Sequence, residues 1–351
     1  MTSILIKKNI TLTEALNSIN SAGKKCLVVI DNKNKLIGTL SDGDLRKAIL
    51  RDISLNEKVT NLINTKPIYF EETKYDKKTI KDTLLKFLID TIPIVDKNKI
   101  VKKIIHWEDF FDKNKKKSLI KNNNKIPVII MAGGKGTRLE PFTHVLPKPL
   151  IPVNGETIIE RIMENFMKQG MYQFKFLINY KSLILKAYLK ELKTKFKIDF
   201  IEEKNQLGTA GGIFLLKNKI KDNFVLSNCD IIVNCDYNDL IEYHMLNKNI
   251  LTIVIATKQY AVPYGNCVLK KDGTLKKIDE KPKFDFLINT GLYIINKKVL
   301  NFIKKNQSLN MDQLILTLLK RKIKVGVFPI HESQWTDIGE WSEYKKALEK
   351  L

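Results

Sequence analysis

Residues Gly133 to Pro149 read GGKGTRLEPFTHVLPKP, and they follow the apolar run Pro127 to Met131, PVIIM. Such a run reads as a buried strand, so the glycines fall where a strand gives way to the next element. In α/β folds that junction is where ligands bind. Gly133, Gly134 and Gly136 lack the Cβ atoms that keep backbone N–H groups away from a polyphosphate, and Lys135, Arg138 and Lys148 add positive charge nearby. The guest this chemistry suits is a nucleoside triphosphate. The loop is neither the G-x-x-x-x-G-K-[ST] pattern nor the dinucleotide pattern G-x-G-x-x-G.

The 351 residues are enough for two domains with cores, and 44% apolar content is ordinary for a globular chain. A formal charge of +23 invites a nucleic-acid reading. Yet the basic residues are almost all Lys, strewn among many Asn and Ile, as an AT-rich coding bias produces on solvated faces. No zinc-finger spacing, RNA-binding aromatic strand motif or basic zipper accompanies the charge, so no nucleic-acid partner is expected. Cys26, Cys229, Cys235 and Cys267 form no CxxC or metal-ligand pattern and read as free thiols or small buried hydrophobes in a reducing compartment. The N-terminus MTSILIKKNITLTEAL has no signal-peptide core, and no run of 18 apolar residues exists. A cytoplasmic chain with no membrane partner is the expectation.

Asp112 to Lys125, DKNKKKSLIKNNNK, is polar and aperiodic and marks the seam, with domains expected at 1–118 and 127–351 and a linker at 119–126. Before it, Leu12, Ala15, Leu16 and Ile19 space a helix over Leu12 to Ala22; Cys26 to Ile30 and Leu36 to Leu40 read as strands, and a second helix starts near Asp42. The passage Gly38 to Arg46, GTLSDGDLR, resembles the end of a CBS motif, and a second copy runs through Tyr69 to Phe111, with IPIVD at 92–96 echoing LVVID at 27–31. The resemblance implies a CBS pair. In such modules the hydroxyl residue and the aspartate hold a nucleotide's phosphate and ribose, which points to Ser41 and Asp44 and to a regulatory nucleotide. Both residues read equally as helix-start chemistry, Ser41 as an N-cap and Asp44 as a first-turn acid. The second copy departs: Lys103 stands for the glycine and His106 for the hydroxyl residue, leaving Asp109 as the matching polar position. That half is expected to pack or to dimerise, and a homo-oligomer follows.

The loop at 133–149, with LIPVNGETIIE at 150–160, resembles the signature of the sugar-1-phosphate nucleotidyltransferases, G-G-x-G-T-R-L-x-P-x-T-x-x-x-P-K-P, and the likeness continues in order to Leu351. LGTAGG at 207–212 matches the family's L-G-T-A-G-A, which meets the nucleobase. The resemblance therefore assigns Ala132, Gly133, Gly134, Gly136, Thr137, Gly208, Thr209, Ala210 and Gly211 to nucleotide binding; Gly208 and Gly211 also read as plain turn residues. FVLSNCDIIVNCD at 224–236 is read as a strand with an acidic end, where the family has Gly-Asp. Asp230 corresponds to its metal-binding aspartate, Cys229 departs from the glycine, and Asp236 is the backup should the register slip. WTDIGE at 335–340 resembles W-x-D-[IV]-G and nominates Asp337 as the second ligand. Two carboxylates suit Mg²⁺, which commonly takes one or two of them plus substrate phosphates. Glu280-Lys281-Pro282 and Asn289-Thr290-Gly291-Leu292-Tyr293 match E-K-P and N-x-G-x-Y. By the same resemblance Glu280, Asn289, Thr290 and Gly291 meet the sugar and Lys281 its phosphate.

The implied chemistry is attack of a sugar 1-phosphate oxygen on the α-phosphorus of the triphosphate, with Arg138, Lys148 and Lys281 as the catalytic cations. No general base is needed, because the nucleophile is already ionised near neutral pH; His144 is assigned no role. A CBS pair ahead of such a domain resembles bacterial guanylyltransferases that make GDP-sugars, and implies GTP and glucosamine 1-phosphate on a route to nonulosonic (legionaminic) acids. Heptose or mannose 1-phosphate with GTP, then glucose 1-phosphate with UTP or dTTP, are the alternatives. A catalytically dead nucleotide sensor is the reading from another class, opposed by the joint presence of Arg138, Lys148, Asp230, Lys281 and Asp337. The expected fold is α/β: a CBS-domain pair, then a Rossmann-like three-layer domain with a mostly parallel sheet and ligands over the strand carboxyl ends, closed by an amphipathic helix over Trp341 to Leu351.

Overall fold

The computed structural model describes residues 4–87, 89–110, 126–192 and 197–350. The chain separates into two compact units, Met1–Ile120 and Lys121–Leu351. Apart from Ile126, the linker expected at 119–126 lies outside the described residues.

In the first unit, the helix Leu12–Ala22 begins at a capping box between Thr11 and Glu14 and stops at Gly23, whose φ of 60° is left-handed. Its buried Leu12, Ala15, Leu16 and Ile19 pack on a three-stranded sheet in which Leu5–Lys7 runs parallel to Cys26–Ile30 and Leu36–Ser41 antiparallel to it. The second half repeats the plan. Phe70–Glu71 is parallel and Val101–His106 antiparallel to Thr91–Val95, and the helix Lys77–Phe87 precedes that central strand. Val28, Ile30 and Leu36 of one half share a core with Val95 of the other. Gly38 explains itself by crowding, because a Cβ there would stand 2.3 Å from the Asn64 carbonyl oxygen. No segment crosses the second copy in that way among the described contacts, and Lys103 is exposed at the matching place.

The second unit is built on a seven-stranded sheet in the order Lys197–Glu202, Gln173–Ile178, Val128–Ala132, Asn223–Asn228, Lys283–Asn296, Leu251–Ala261, Val325–His331. All neighbours are parallel except where Lys283–Asn296 runs antiparallel to both its partners. Val128–Ala132 lies between two parallel strands and is apolar along its length because both faces are covered: Val128 and Ile130 enter one core and Ile129 the opposite one. The helix Ile158–Met167 closes the first face with Ile158, Ile159, Ile162, Met163 and Phe166, and Met311–Lys320 closes the second with Met311, Leu314 and Leu318. The three-layer arrangement follows. The run at 224–236 is not one strand: it breaks after Asn228 and resumes as Ile231–Val233, which pairs with Trp335–Asp337. Trp341–Lys350 is the expected terminal helix.

Candidate active site

The carboxyl ends of Val128–Ala132 and Asn223–Asn228 open into a cleft of about 590 Å³. Gly133, Gly134, Lys135, Gly136, Thr137 and Arg138 form one wall. Gly136 has φ +71°, and a Cβ there would stand 2.9 Å from Thr143 Cγ2 and 3.1 Å from Lys148 Cβ, so glycine is required by conformation and by space. Gly134 faces open space, which leaves its backbone approachable. Leu139, fully buried, anchors the far end of the loop.

Lys148 follows Pro147 into a short turn that buries it to 7% exposure, and its Nζ donates to Asp230 Oδ2 at 2.5 Å and to the Gly339 carbonyl at 3.4 Å. Asp230 sits in the break between two strands and is itself 8% exposed. Pairing of Ile231 with Asp337 carries the second carboxylate to the same place, and Ile338 N–H donates to the Asp230 carbonyl at 2.8 Å. Asp230 Oδ2 and Asp337 Oδ1 each stand 2.9 Å from the point a Cβ on Gly339 would occupy. The glycine of WTDIGE is thus the space in which the two acids converge. Burial pushes the Asp337 carboxyl above its ordinary value, the Gly339 N–H bond at 2.7 Å opposes this, and the Asp230 charge adds to the rise. Two converging carboxylates are a donor set that fits a hard divalent ion, with substrate phosphates to complete the shell, and the Lys148 ammonium stands beside them, 3.4 Å from the same point. Among the described residues no group of three or more His, Cys, Asp or Glu assembles for a metal, so the protein's own ligands here number two.

Arg138 reaches out of the cleft, its Nη1 donating to Glu340 Oε1 at 2.9 Å with both side chains more than half exposed. The LGTAGG turn supplies Gly208, Thr209 and Gly212 to the wall. Ala210 and Gly211 are buried behind it, their N–H groups donating to the Leu309 carbonyl at 2.9 and 3.0 Å. Thr209 Oγ1 accepts from Met311 N–H at 2.9 Å, capping the helix beyond. Ala132, 2% exposed, also lies in the core.

The expected sugar side is placed differently. Glu280 and Lys281 are exposed at the turn after Leu275–Asp279, a strand of a small hairpin outside the main sheet, and neither lines the cleft. Thr290 faces the core, 2% exposed, its hydroxyl donating to the Val254 carbonyl at 2.8 Å, so its side chain has no route to a ligand. Asn289 donates to the Tyr293 hydroxyl at 2.8 Å and accepts from Gly291 N–H. Gly291, with φ +85°, leaves room for Asn228, whose Nδ2 is 2.5 Å from where its Cβ would be; Asn228 lines the cleft. Asp236 accepts from Asn238 and Asp239 N–H groups as the cap of Tyr237–Leu246, which removes it as a metal ligand. Cys229 is buried, its thiol pushed up to about 12 by burial and then by the Asp230 charge. His144 is exposed beside Glu140.

In the first unit Ser41 and Asp44 spend their side chains on each other. Ser41 Oγ donates to Asp44 Oδ2 at 2.6 Å and accepts from Asp44 N–H, which is a capping box for Asp42–Leu50. His106 and Asp109 repeat it at the second copy, where His106 N–H donates to Asp109 Oδ2 at 2.7 Å.

Residues 127–351 match the model of the nucleotidyl transferase family, and residues 1–51 that of the CBS domain. The chain belongs to the nucleotidyl transferase family. It is similar to a probable mannose-1-phosphate guanylyltransferase of Oryza sativa subsp. japonica, 30% identical over 231 residues that make up 63% of this chain and 63% of that protein. The chain therefore matches less than two thirds of that relative's length. Among solved structures, HddC from Yersinia pseudotuberculosis is 29% identical, with a TM-score of 0.51 over 64% of this chain and 99% of its own. A second HddC structure, complexed with GMP-PN, is 28% identical with the same TM-score and coverage.

Proposed function

We propose that this nucleotidyl transferase moves GMP from GTP to a sugar 1-phosphate, with glucosamine 1-phosphate as the acceptor, giving a GDP-sugar and pyrophosphate. The observation that carries the reading is the meeting of Lys148, Asp230 and Asp337 beside a glycine loop in one cleft. An oxygen of the sugar phosphate bonds to the α-phosphorus, the bond to the bridging oxygen of the β-phosphate breaks, and pyrophosphate leaves with that electron pair. The glycine loop N–H groups and Lys135 hold the triphosphate. Arg138 leaves Glu340 to join them, and buried Lys148 offsets charge at the α-phosphate. Asp230 and Asp337 would hold Mg²⁺, which supplies charge neutralisation between the two anions. For Lys281 to orient the sugar phosphate, the exposed hairpin that bears it must approach the cleft.

Guanine is supported by the likeness to guanylyltransferases, glucosamine by the CBS fusion on a route to nonulosonic (legionaminic) acids. The names of the curated relatives favour mannose 1-phosphate as the second reading. The test is pyrophosphate release over a matrix of nucleoside triphosphates and sugar 1-phosphates, repeated with added AMP, ATP and GTP as effectors. Fastest turnover with GTP and glucosamine 1-phosphate is expected, and preference for another pair overturns that choice. Chelator is expected to silence release and added Mg²⁺ to restore it; undiminished release with chelator removes the metal from the reaction.

A further inference from the structure

Three charged groups converge on the gap at Gly339, and one of them is a cation. Asp230 Oδ2 and Asp337 Oδ1 are each 2.9 Å from where a Gly339 Cβ would be, and Lys148 Nζ is 3.4 Å from it. Nζ also donates to Asp230 Oδ2 at 2.5 Å and to the Gly339 carbonyl at 3.4 Å, so the ammonium holds one of the oxygens that a divalent ion needs. Charge of the same sign as that ion therefore already stands beside the acids. The pair is enclosed, its side chains 9% and 12% exposed, and salt screens it little. The stem of Lys148 runs along the glycine loop: its Cβ and Cδ lie 3.1 and 3.4 Å from where a Gly136 Cβ would be. The ammonium thus ends a flexible arm set between the acids and the loop, and Gly136, Lys148 and Asp230 all line the cleft.

Resting on the metal reading above, we infer that Lys148 is a tethered cation that keeps divalent ions off Asp230 and Asp337 until a triphosphate arrives. Phosphate oxygens at the glycine loop offer the ammonium a second anion, and turning toward them frees Asp230 Oδ2. The same movement takes the repelling charge out of the gap. Metal and nucleotide then bind with positive coupling, each raising the other's affinity by the same factor. Lysine suits this exchange, because its ammonium is a point charge on a rotatable stem, whereas a guanidinium would fork onto the carboxylate and stay. Without nucleotide the two acids take up metal poorly, although they converge.

The test follows Mn²⁺ binding to the full-length, nucleotide-free chain by the electron paramagnetic resonance of the free ion, with folding checked by circular dichroism. The native chain is expected to bind Mn²⁺ weakly. Lys148→Met removes the ammonium and leaves a buried carboxylate uncompensated, so Mn²⁺ is expected to bind at least about 10-fold more tightly. Mn²⁺ should then raise the melting temperature of that variant and leave the native one in place. Lys148→Arg keeps the charge and is expected to bind as weakly as the native chain. Both variants lose turnover, so metal binding is the readout that separates charge from a merely structural role. Adding Asp230→Asn to Lys148→Met is expected to abolish the gain. Should Lys148→Met fail to fold, Lys148→Gln, which keeps a donor for Asp230 and drops the charge, gives the same comparison. The tethered-cation role is overturned if the charge-free variant binds Mn²⁺ no more tightly than the native chain, if Lys148→Arg gains as much, or if the gain survives Asp230→Asn. In each of these cases the metal reading stands while chelator silences pyrophosphate release, and it falls as well if release is undiminished.

Discussion

Arg138 and Asp337 illustrate how single side chains are held ready at some cost. The Arg138–Glu340 pair is solvent-exposed and weak, so the guanidinium can leave it for a triphosphate. Arg138→Ala is expected to lower turnover by two or more decades, roughly 3 kcal/mol of transition-state stabilisation. Steady-state kinetics check this, with near-native turnover removing Arg138 from the reaction. Asp337 is a half-buried acid whose folded-state pKa lies above the unfolded value of 3.8. Its ionisation therefore opposes folding, an effect absent below the unfolded pKa and complete above the folded one. Asp337→Asn keeps an oxygen for Gly339 N–H and removes the charge. It is expected to melt higher than the native chain at pH 7, to lose that advantage as the pH falls toward 3.8, and to lose turnover throughout. Melting curves across pH with an unchanged difference would show that the charge is not the cause.

At the level of elements, glycines that look alike in sequence do different work. A Cβ on Gly211 would stand 2.2 Å from the Gln307 carbonyl oxygen, so Gly211→Ala must shift the 307–310 turn and is expected to cost about 1–3 kcal/mol in urea unfolding. A Cβ on Gly134 meets nothing within 4 Å, and Gly134→Ala is expected to leave stability unchanged while weakening nucleotide binding, because the methyl enters the cleft wall. Equal stability losses for the two variants would contradict this division. The strands at 26–30 and 128–132 were legible as apolar runs, and the helix at 12–22 as spaced apolar positions. The break at Cys229–Asp230 was not, because the run stays apolar on both sides and only pairing with Trp335–Asp337 interrupts it.

For the whole molecule, each unit is built on hydrophobic cores of its own. Calorimetry is expected to resolve two transitions, because each unit encloses cores on which it can unfold cooperatively. GTP binding to the native cleft should raise one of them, by about 2.7 kcal/mol at 100 times Kd, and leave the other in place. A single transition, or equal shifts of both, would show the units to be coupled.

The amino-acid sequence by itself determined the strand, the glycine turn and the repeated strand-and-helix plan, since apolar period and residues tolerant of unusual dihedrals act over a few neighbours. It also nominated Lys148, Asp230 and Asp337, through the order of motifs. Only the tertiary structure decided that these three meet: Lys148 and Asp230 lie 82 residues apart, and strand register at Ile231 and Asp337 brings in the third. The same long-range packing turned Thr290 into the core, left Glu280 and Lys281 exposed on their hairpin, and set Glu203 against Gly212, where no local pattern could have shown it.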